Sequence, residues 1–99
     1  MDIADLLVAT HKNKASDLHL SASNPPIMRI NGDMMRLDLP ALNPDEIKTM
    51  LYSIMTDTQR SDYEREHDID FSIAINDHMR FRVTAFVNMN GPAAVFRTI

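Results

Sequence analysis

The sequence predicts an α+β fold: a mainly antiparallel sheet of about six strands with helices on one face. Two hydrophobic periodicities support this, since apolar residues recur every three or four positions in some segments and every second position in others. The strand-like segments form runs separated by helices, in the order one helix, three strands, two helices and three strands. Runs of this kind are typical of sheets covered by helices on one side. The 99 residues fit one domain, residues 1–99.

The predicted elements follow from local signals along the chain. Asp2 is a candidate N-cap for the first helix, Asn43 for the second and Thr56 for the third, with Gln59 completing a capping box at Thr56. The predicted helices cover residues 3–13, 44–55 and 57–66. The predicted strands cover residues 17–21, 27–30, 34–39, 69–75, 79–87 and 93–99.

Two Asn-Gly pairs predict hairpin turns. Asn31-Gly32 suits a type I′ turn, which places Met28 opposite Met35 on the neighbouring strand. If Asn90-Gly91 forms the centre of the last hairpin, Thr84 lies opposite Arg97.

Three arginines are the candidate site. Arg80 and Arg82 are two positions apart on one strand, so both point to the same face, about 7 Å apart. The predicted hairpin adds Arg97 to that face. Guanidinium groups held together suit an anion such as phosphate. Two other interpretations remain open: a solvated sheet face, or pairing of these arginines with Asp and Glu from the polar third helix.

Composition excludes several function classes. Lys and Arg number 10 against 14 Asp and Glu, a net charge of −4, so the chain is not built to bind nucleic acid. Its two glycines, Gly32 and Gly91, lie far apart, so it contains no phosphate-binding glycine loop. There are no cysteines, which suits a reducing cytoplasm.

The remaining polar residues give weaker signals. Arg29 and Arg36 lie on neighbouring predicted strands and are interpreted as surface charges. No two histidines have helical metal-ligand spacing, so we expect no metal site. No serine lies between glycines as in a nucleophile elbow, and no catalytic residue is assigned.

Two stretches carry a family resemblance, which covers the chain from Met1 to Ile99. They resemble the N-terminal domain of the type IV pilus retraction ATPases, the PilT family of bacterial secretion ATPases. The first stretch comprises Ala15–Ser21, Pro25-Pro26 and Arg29–Gly32, and the second comprises Asp70–Ser72, Met79–Val83, Ala85-Phe86 and Gly91–Ile99.

The resemblance implies a PAS-like domain that precedes a RecA-like ATPase core in a cytoplasmic, homohexameric motor for pilus retraction and twitching motility. The matching arginines Arg80, Arg82 and Arg97 would contact the phosphates of Mg-ATP, which the core binds. The implied partners are the chain's own ATPase core, neighbouring subunits and a pilus platform protein of the inner membrane. The implied location is the cytoplasmic face of that membrane, without insertion.

The family's Walker A loop and catalytic glutamate are absent from these residues, so we expect a domain of a longer protein that is inactive alone. One alternative is a free-standing PAS-like sensor or protein-interaction module. Another is the same domain of an accessory retraction or extension ATPase.

Overall fold

The computed structural model describes residues 1–99 as three helices and six strands. Their order is the predicted one. The elements are α1 (Ile3–Lys12), β1 (Asp17–Ser21), β2 (Ile27–Ile30), β3 (Asp33–Arg36), α2 (Pro44–Ile54), α3 (Asp57–Glu66), β4 (Asp68–Ala74), β5 (Arg80–Asn88) and β6 (Gly91–Thr98). None of the helices is long and apolar enough to span a lipid bilayer.

The six strands form one open sheet in the order β3-β2-β1-β6-β5-β4, and every neighbouring pair is antiparallel. This confirms the α+β prediction. The central pair, β1 and β6, joins the first group of strands to the last and places Asp17 opposite Arg97.

A single hydrophobic core covers one face of the sheet, which we call the core face. All three helices contribute to it, so they lie on the same side. Tyr63 of α3 also ties its helix to the sheet, because its hydroxyl donates to the Phe86 carbonyl at 2.8 Å. The core includes Leu18, Leu20, Met28, Phe81, Val83 and Phe96 of the sheet and Leu6, Leu7, Ile47, Met50, Leu51 and Tyr63 of the helices.

The three helix starts have the predicted caps. The Asp2 side chain accepts from the Ala4 backbone N–H at 3.0 Å. Asn43 forms a complete capping box at the start of α2, and Thr56 forms another with Gln59 at the start of α3. These contacts satisfy backbone donors that have no partner within the helix.

The first hairpin has the predicted turn and register. Asn31 and Gly32 have φ values of 51° and 85°, as a type I′ turn requires, and Met28 lies opposite Met35. Strand β3 ends earlier than predicted, at Arg36. Its partner strand begins only after Pro25-Pro26, whose nitrogens carry no hydrogen to extend the ladder. Met35 is 50% exposed because β3 is an edge strand.

The predicted register of the last hairpin was wrong by two residues. Asn88 pairs with Gly91, so Met89-Asn90 forms the turn and Arg97 lies opposite Arg82 instead of Thr84. The Asn88 side chain closes this turn by accepting from the Asn90 N–H at 2.9 Å. A shift of two residues keeps every side chain on its face of the sheet. The prediction that Arg97 shares a face with Arg82 therefore holds.

Candidate functional site

The sheet face opposite the helices, here called the outer face, carries the three predicted arginines. Arg82 on β5 and Arg97 on β6 are directly opposite each other, and Arg80 is two positions from Arg82 on the same face. All three side chains are exposed. We call Arg80, Arg82 and Arg97 the arginine trio; the structure brings its members together on one face.

The trio has little internal charge compensation. Neither Arg80 nor Arg82 makes an ion pair or a side-chain hydrogen bond, and Arg97 approaches a single carboxylate, with its Nε 3.8 Å from Asp17 Oδ1. The acidic residues of α3 are not the partners considered from sequence. Two of them, Asp57 and Asp62, pair with arginines of their own helix. The trio therefore presents guanidinium donors to solvent.

Asp17 and Arg29 form the most ordered polar contact beside the trio. The Arg29 Nε donates to Asp17 Oδ2 at 3.1 Å, and Arg29 Nη1 donates to the Gly32 carbonyl at 3.1 Å. Arg29 is thus engaged within the protein, in contrast to Arg82. Arg36 lies on edge strand β3, opposite Ile27, and is not close to the trio in the sheet.

His19 lies next to Asp17 on the outer face, with its Nε2 3.9 Å from Asp17 Oδ2 and without a hydrogen-bond partner. Burial of the ring lowers the pKa of His19 below its ordinary value of 6.5. The Asp17 carboxylate opposes this shift, whereas Arg29 and Arg97 add to it. The ring is therefore neutral at neutral pH and adds no positive charge to the site.

The domain has two open depressions, and one of them includes a residue of the arginine trio. The smaller, of about 320 Å³, is lined by Asp70, Phe71, Ser72 and Arg82. A larger groove of about 700 Å³ is lined by residues from the end of α1 and the end of β6, but by none of the trio. The basic residues of this groove are Lys12 and Lys14, with His11. No group of three or more His, Asp or Glu side chains is placed to hold a metal ion.

This geometry suits an oxyanion, because planar guanidinium groups donate paired hydrogen bonds to phosphate oxygens. The site is nevertheless open to water, where exposed charges interact weakly. Tight phosphate binding on the outer face therefore requires another protein surface that excludes water from the arginines.

Sequence reasoning missed the role of Asp17 beside Arg97. Nothing local indicates that β1 pairs with β6, because the partners Asp17 and Arg97 lie 80 positions apart in the sequence. The available signal was the opposite charge of Asp17 and Arg97, which favours a cross-strand pair.

Comparisons with known proteins identify relatives of this chain. No model of a known protein family matches the sequence. The chain is 48% identical over 99 residues, its full length, to the type IV pilus retractation ATPase PilT of Pseudomonas aeruginosa, of which it spans 29%. A twitching motility protein of Neisseria gonorrhoeae is 46% identical over 74 residues, 75% of this chain and 20% of that protein.

A solved structure decides the assignment. The crystal structure of the pilus retraction motor PilT with bound ADP superposes with a TM-score of 0.90 at 32% identity, over 100% of this chain and 29% of that one. The chain belongs to the PilT family. It corresponds to the N-terminal domain of these secretion ATPases. The arginine trio thus lies on the uncovered sheet face of a PilT-family domain.

Proposed function

We propose that this chain is the PAS-like N-terminal domain of a hexameric ATPase that powers type IV pilus retraction and twitching motility. In this proposal the arginine trio contacts the phosphates of Mg-ATP bound mainly by the RecA-like core of a longer protein. The observation that carries the proposal is the pairing of Arg82 with Arg97 on an uncovered face, with no internal partner for Arg82. The match to a motor with bound ADP supports nucleotide as the anion.

In this proposal a second domain covers the open arginine site. An exposed guanidinium in water holds a phosphate weakly, but the same group in a water-excluded interface stabilises phosphate charge strongly. The outer face would pack against the ATPase core of its own or a neighbouring subunit in a homohexamer. There the arginines would neutralise charge that develops on the transferred phosphate, as arginine fingers do.

The assembly would work in the cytoplasm, at the inner membrane, against a pilus platform protein. The support is the identity to a retraction ATPase and to a twitching motility protein. Nucleic acid is not a partner in this proposal, because the chain's net charge is −4.

Charge reversal in the full-length ATPase tests the role of the arginines. We expect Arg82→Glu and Arg97→Glu each to lower kcat by about 100-fold, the effect of losing one oxyanion donor. The matched control is Arg36→Glu, an exposed arginine at the other edge of the sheet. It should leave turnover unchanged. Circular dichroism and size-exclusion chromatography verify that each variant is folded and assembled.

Unchanged turnover in both Arg82→Glu and Arg97→Glu would return the trio to the class of solvated surface charges. A simpler check is the coding sequence beyond Ile99. A Walker A loop is expected within about forty residues, and its absence there would favour a free-standing interaction module.

A further inference from the structure

Four charged residues lie in one row across the outer face. Arg29, Asp17, Arg97 and Arg82 are successive cross-strand partners on β2, β1, β6 and β5. The single carboxylate of this row lies between two arginines and is the least exposed member of the pairs it forms. The side chain of Asp17 is 16% exposed, against 40% for Arg29 and 71% for Arg97.

Arg29 fixes the Asp17 carboxylate from one side. It binds Asp17 Oδ2 through Nε and the Gly32 carbonyl through Nη1, so its guanidinium is held at two points. The other carboxylate oxygen, Oδ1, faces Arg97 Nε at 3.8 Å. Asp17 is therefore an anchored group with one oxygen directed at the trio.

The shortest contact between Arg97 and Asp17 is made by Nε of Arg97. Its two terminal nitrogens remain available for another oxyanion, beside the unpaired Arg82 directly opposite. Like charges placed opposite each other on neighbouring strands repel. A carboxylate on the far side of Arg97 offsets this repulsion and limits the positions that its guanidinium can adopt.

We propose that Asp17 is a positioning residue of the arginine site. Anchored by Arg29, its carboxylate holds Arg97 through Nε so that the terminal nitrogens of Arg97 face the same phosphate group as Arg82. This inference rests on the proposed phosphate-binding function and adds Asp17 and Arg29 to it as residues that act through Arg97.

The direction in which Asp17→Asn changes the affinity for an anion distinguishes a positioning role from a simple effect of charge. Removing a carboxylate near an anion site strengthens anion binding if only charge matters. If Asp17 positions Arg97, Asp17→Asn instead weakens binding. Asp70→Asn is the matched control, because Asp70 lies on the same face but accepts from Thr84 Oγ1 at 2.6 Å and makes no ion pair. It removes the same charge without releasing an arginine.

The experiment uses the 99-residue chain with ¹⁵N-labelled arginine side chains. Tripolyphosphate is titrated at low ionic strength, and the Nε–H signals of Arg82 and Arg97 are followed by NMR. We expect both signals to shift together, and Asp17→Asn to raise the Kd about 3-fold, which lies within the range for an exposed ion pair. Asp70→Asn should leave the Kd unchanged or lower it.

A double-mutant cycle tests whether Asp17 acts through Arg97. In an Arg97→Lys background, where the guanidinium fork is gone, Asp17→Asn should no longer weaken binding. If Asp17→Asn is unfolded by circular dichroism, Arg29→Lys replaces it, since this change keeps the charge of the row but releases the anchor. Arg29→Lys should also raise the Kd.

The outcomes separate the two proposals. Tighter tripolyphosphate binding in Asp17→Asn, as in Asp70→Asn, or an unchanged Kd in Arg29→Lys, would overturn the positioning role while leaving the phosphate site intact. If tripolyphosphate shifts neither Arg82 nor Arg97 in the unsubstituted chain, the chain has no phosphate site of its own and the positioning role falls with it. The proposed function is then tested separately by measuring the turnover of the full-length ATPase with Arg82→Glu and with Arg97→Glu.

Discussion

The two faces of strands β5 and β6 differ in burial and charge although they share one backbone. On the core face, Phe81 and Phe96 are fully buried and pack in the single hydrophobic cluster. On the outer face, the alternate residues Arg82 and Arg97 are exposed and lie directly opposite each other. Successive positions such as Phe96 and Arg97 thus face entirely different surroundings.

This difference separates residues that fold the domain from residues that folding does not need. The buried aromatic side chains remove apolar surface from water, which is the main favourable term in folding. Two arginines opposite each other contribute no such term and repel slightly. An arrangement that is locally unfavourable and has no structural benefit indicates a functional site.

The largest expected effect is on stability, from the core face. Phe96→Ala should lower the free energy of unfolding by about 3–5 kcal/mol, because it leaves a cavity at a fully buried position. Its neighbour Arg97→Ala should change it by less than about 1 kcal/mol, the range for an exposed ion pair. Urea denaturation followed by circular dichroism measures both. A comparable loss of unfolding free energy in Arg97→Ala would show that Arg97 on the outer face also stabilises the fold. It would contradict the proposed difference between the two faces.

An intermediate loss of stability is expected from substituting the two glycines. Gly91 lies in the β5–β6 hairpin and Gly32 in the β2–β3 hairpin. Both have positive φ, 118° at Gly91 and 85° at Gly32. A Cβ added at Gly91 would lie 3.2 Å from the Pro44 Cβ at the start of α2, whereas one at Gly32 would meet nothing within 4 Å. We expect Gly91→Ala to cost about 3 kcal/mol and Gly32→Ala about 1 kcal/mol of unfolding free energy.

Equal losses in the two glycine variants would show that backbone strain alone matters at both turns. The contact between Gly91 and Pro44 would then add nothing to the strain, and the hairpin of β5 and β6 would be no more constrained than the exposed one. The same urea titrations provide this comparison.

Local signals explain how much of the fold the sequence predicts. Capping residues such as Asn43 and Thr56, and the Asn31-Gly32 turn, act on backbone groups within a few positions, so their effects can be inferred without knowing the tertiary structure. The second Asn-Gly pair misled the prediction, since Gly91 begins a strand that passes close to Pro44 instead of forming the turn.

The candidate site is predictable to the same extent. The alternation of strand residues places Arg80 and Arg82 on one face, and a two-residue error in register does not change the face of Arg97. The contribution of Asp17 could not be derived this way, because it depends on the pairing of β1 with β6. Non-local pairing is decided by the packing of the whole sheet and leaves no local signal.

The smallest expected effect concerns His19, a partly buried residue of the outer face whose side chain is 30% exposed. Burial of its ring lowers its pKa in the folded chain, with Arg29 and Arg97 acting in the same direction and Asp17 against it. In the unfolded chain the pKa is the ordinary 6.5. As pH falls through this value, the unfolded state binds a proton before the folded state does, so the folded state loses stability.

The His19 contribution is therefore fully present above pH 6.5 and is lost as pH falls towards the lowered folded-state pKa. We expect His19→Gln to reduce the loss of stability between about pH 7.5 and about pH 5.5, measured by urea denaturation. The control is His78→Gln, a substitution in an exposed loop. The stability of this variant should depend on pH as that of the unsubstituted chain does. A His19→Gln variant that loses more stability on acidification would mean that attraction to Asp17 outweighs burial. His19 would then be a charged member of the outer face, and the arginine row would contain an additional cation at low pH.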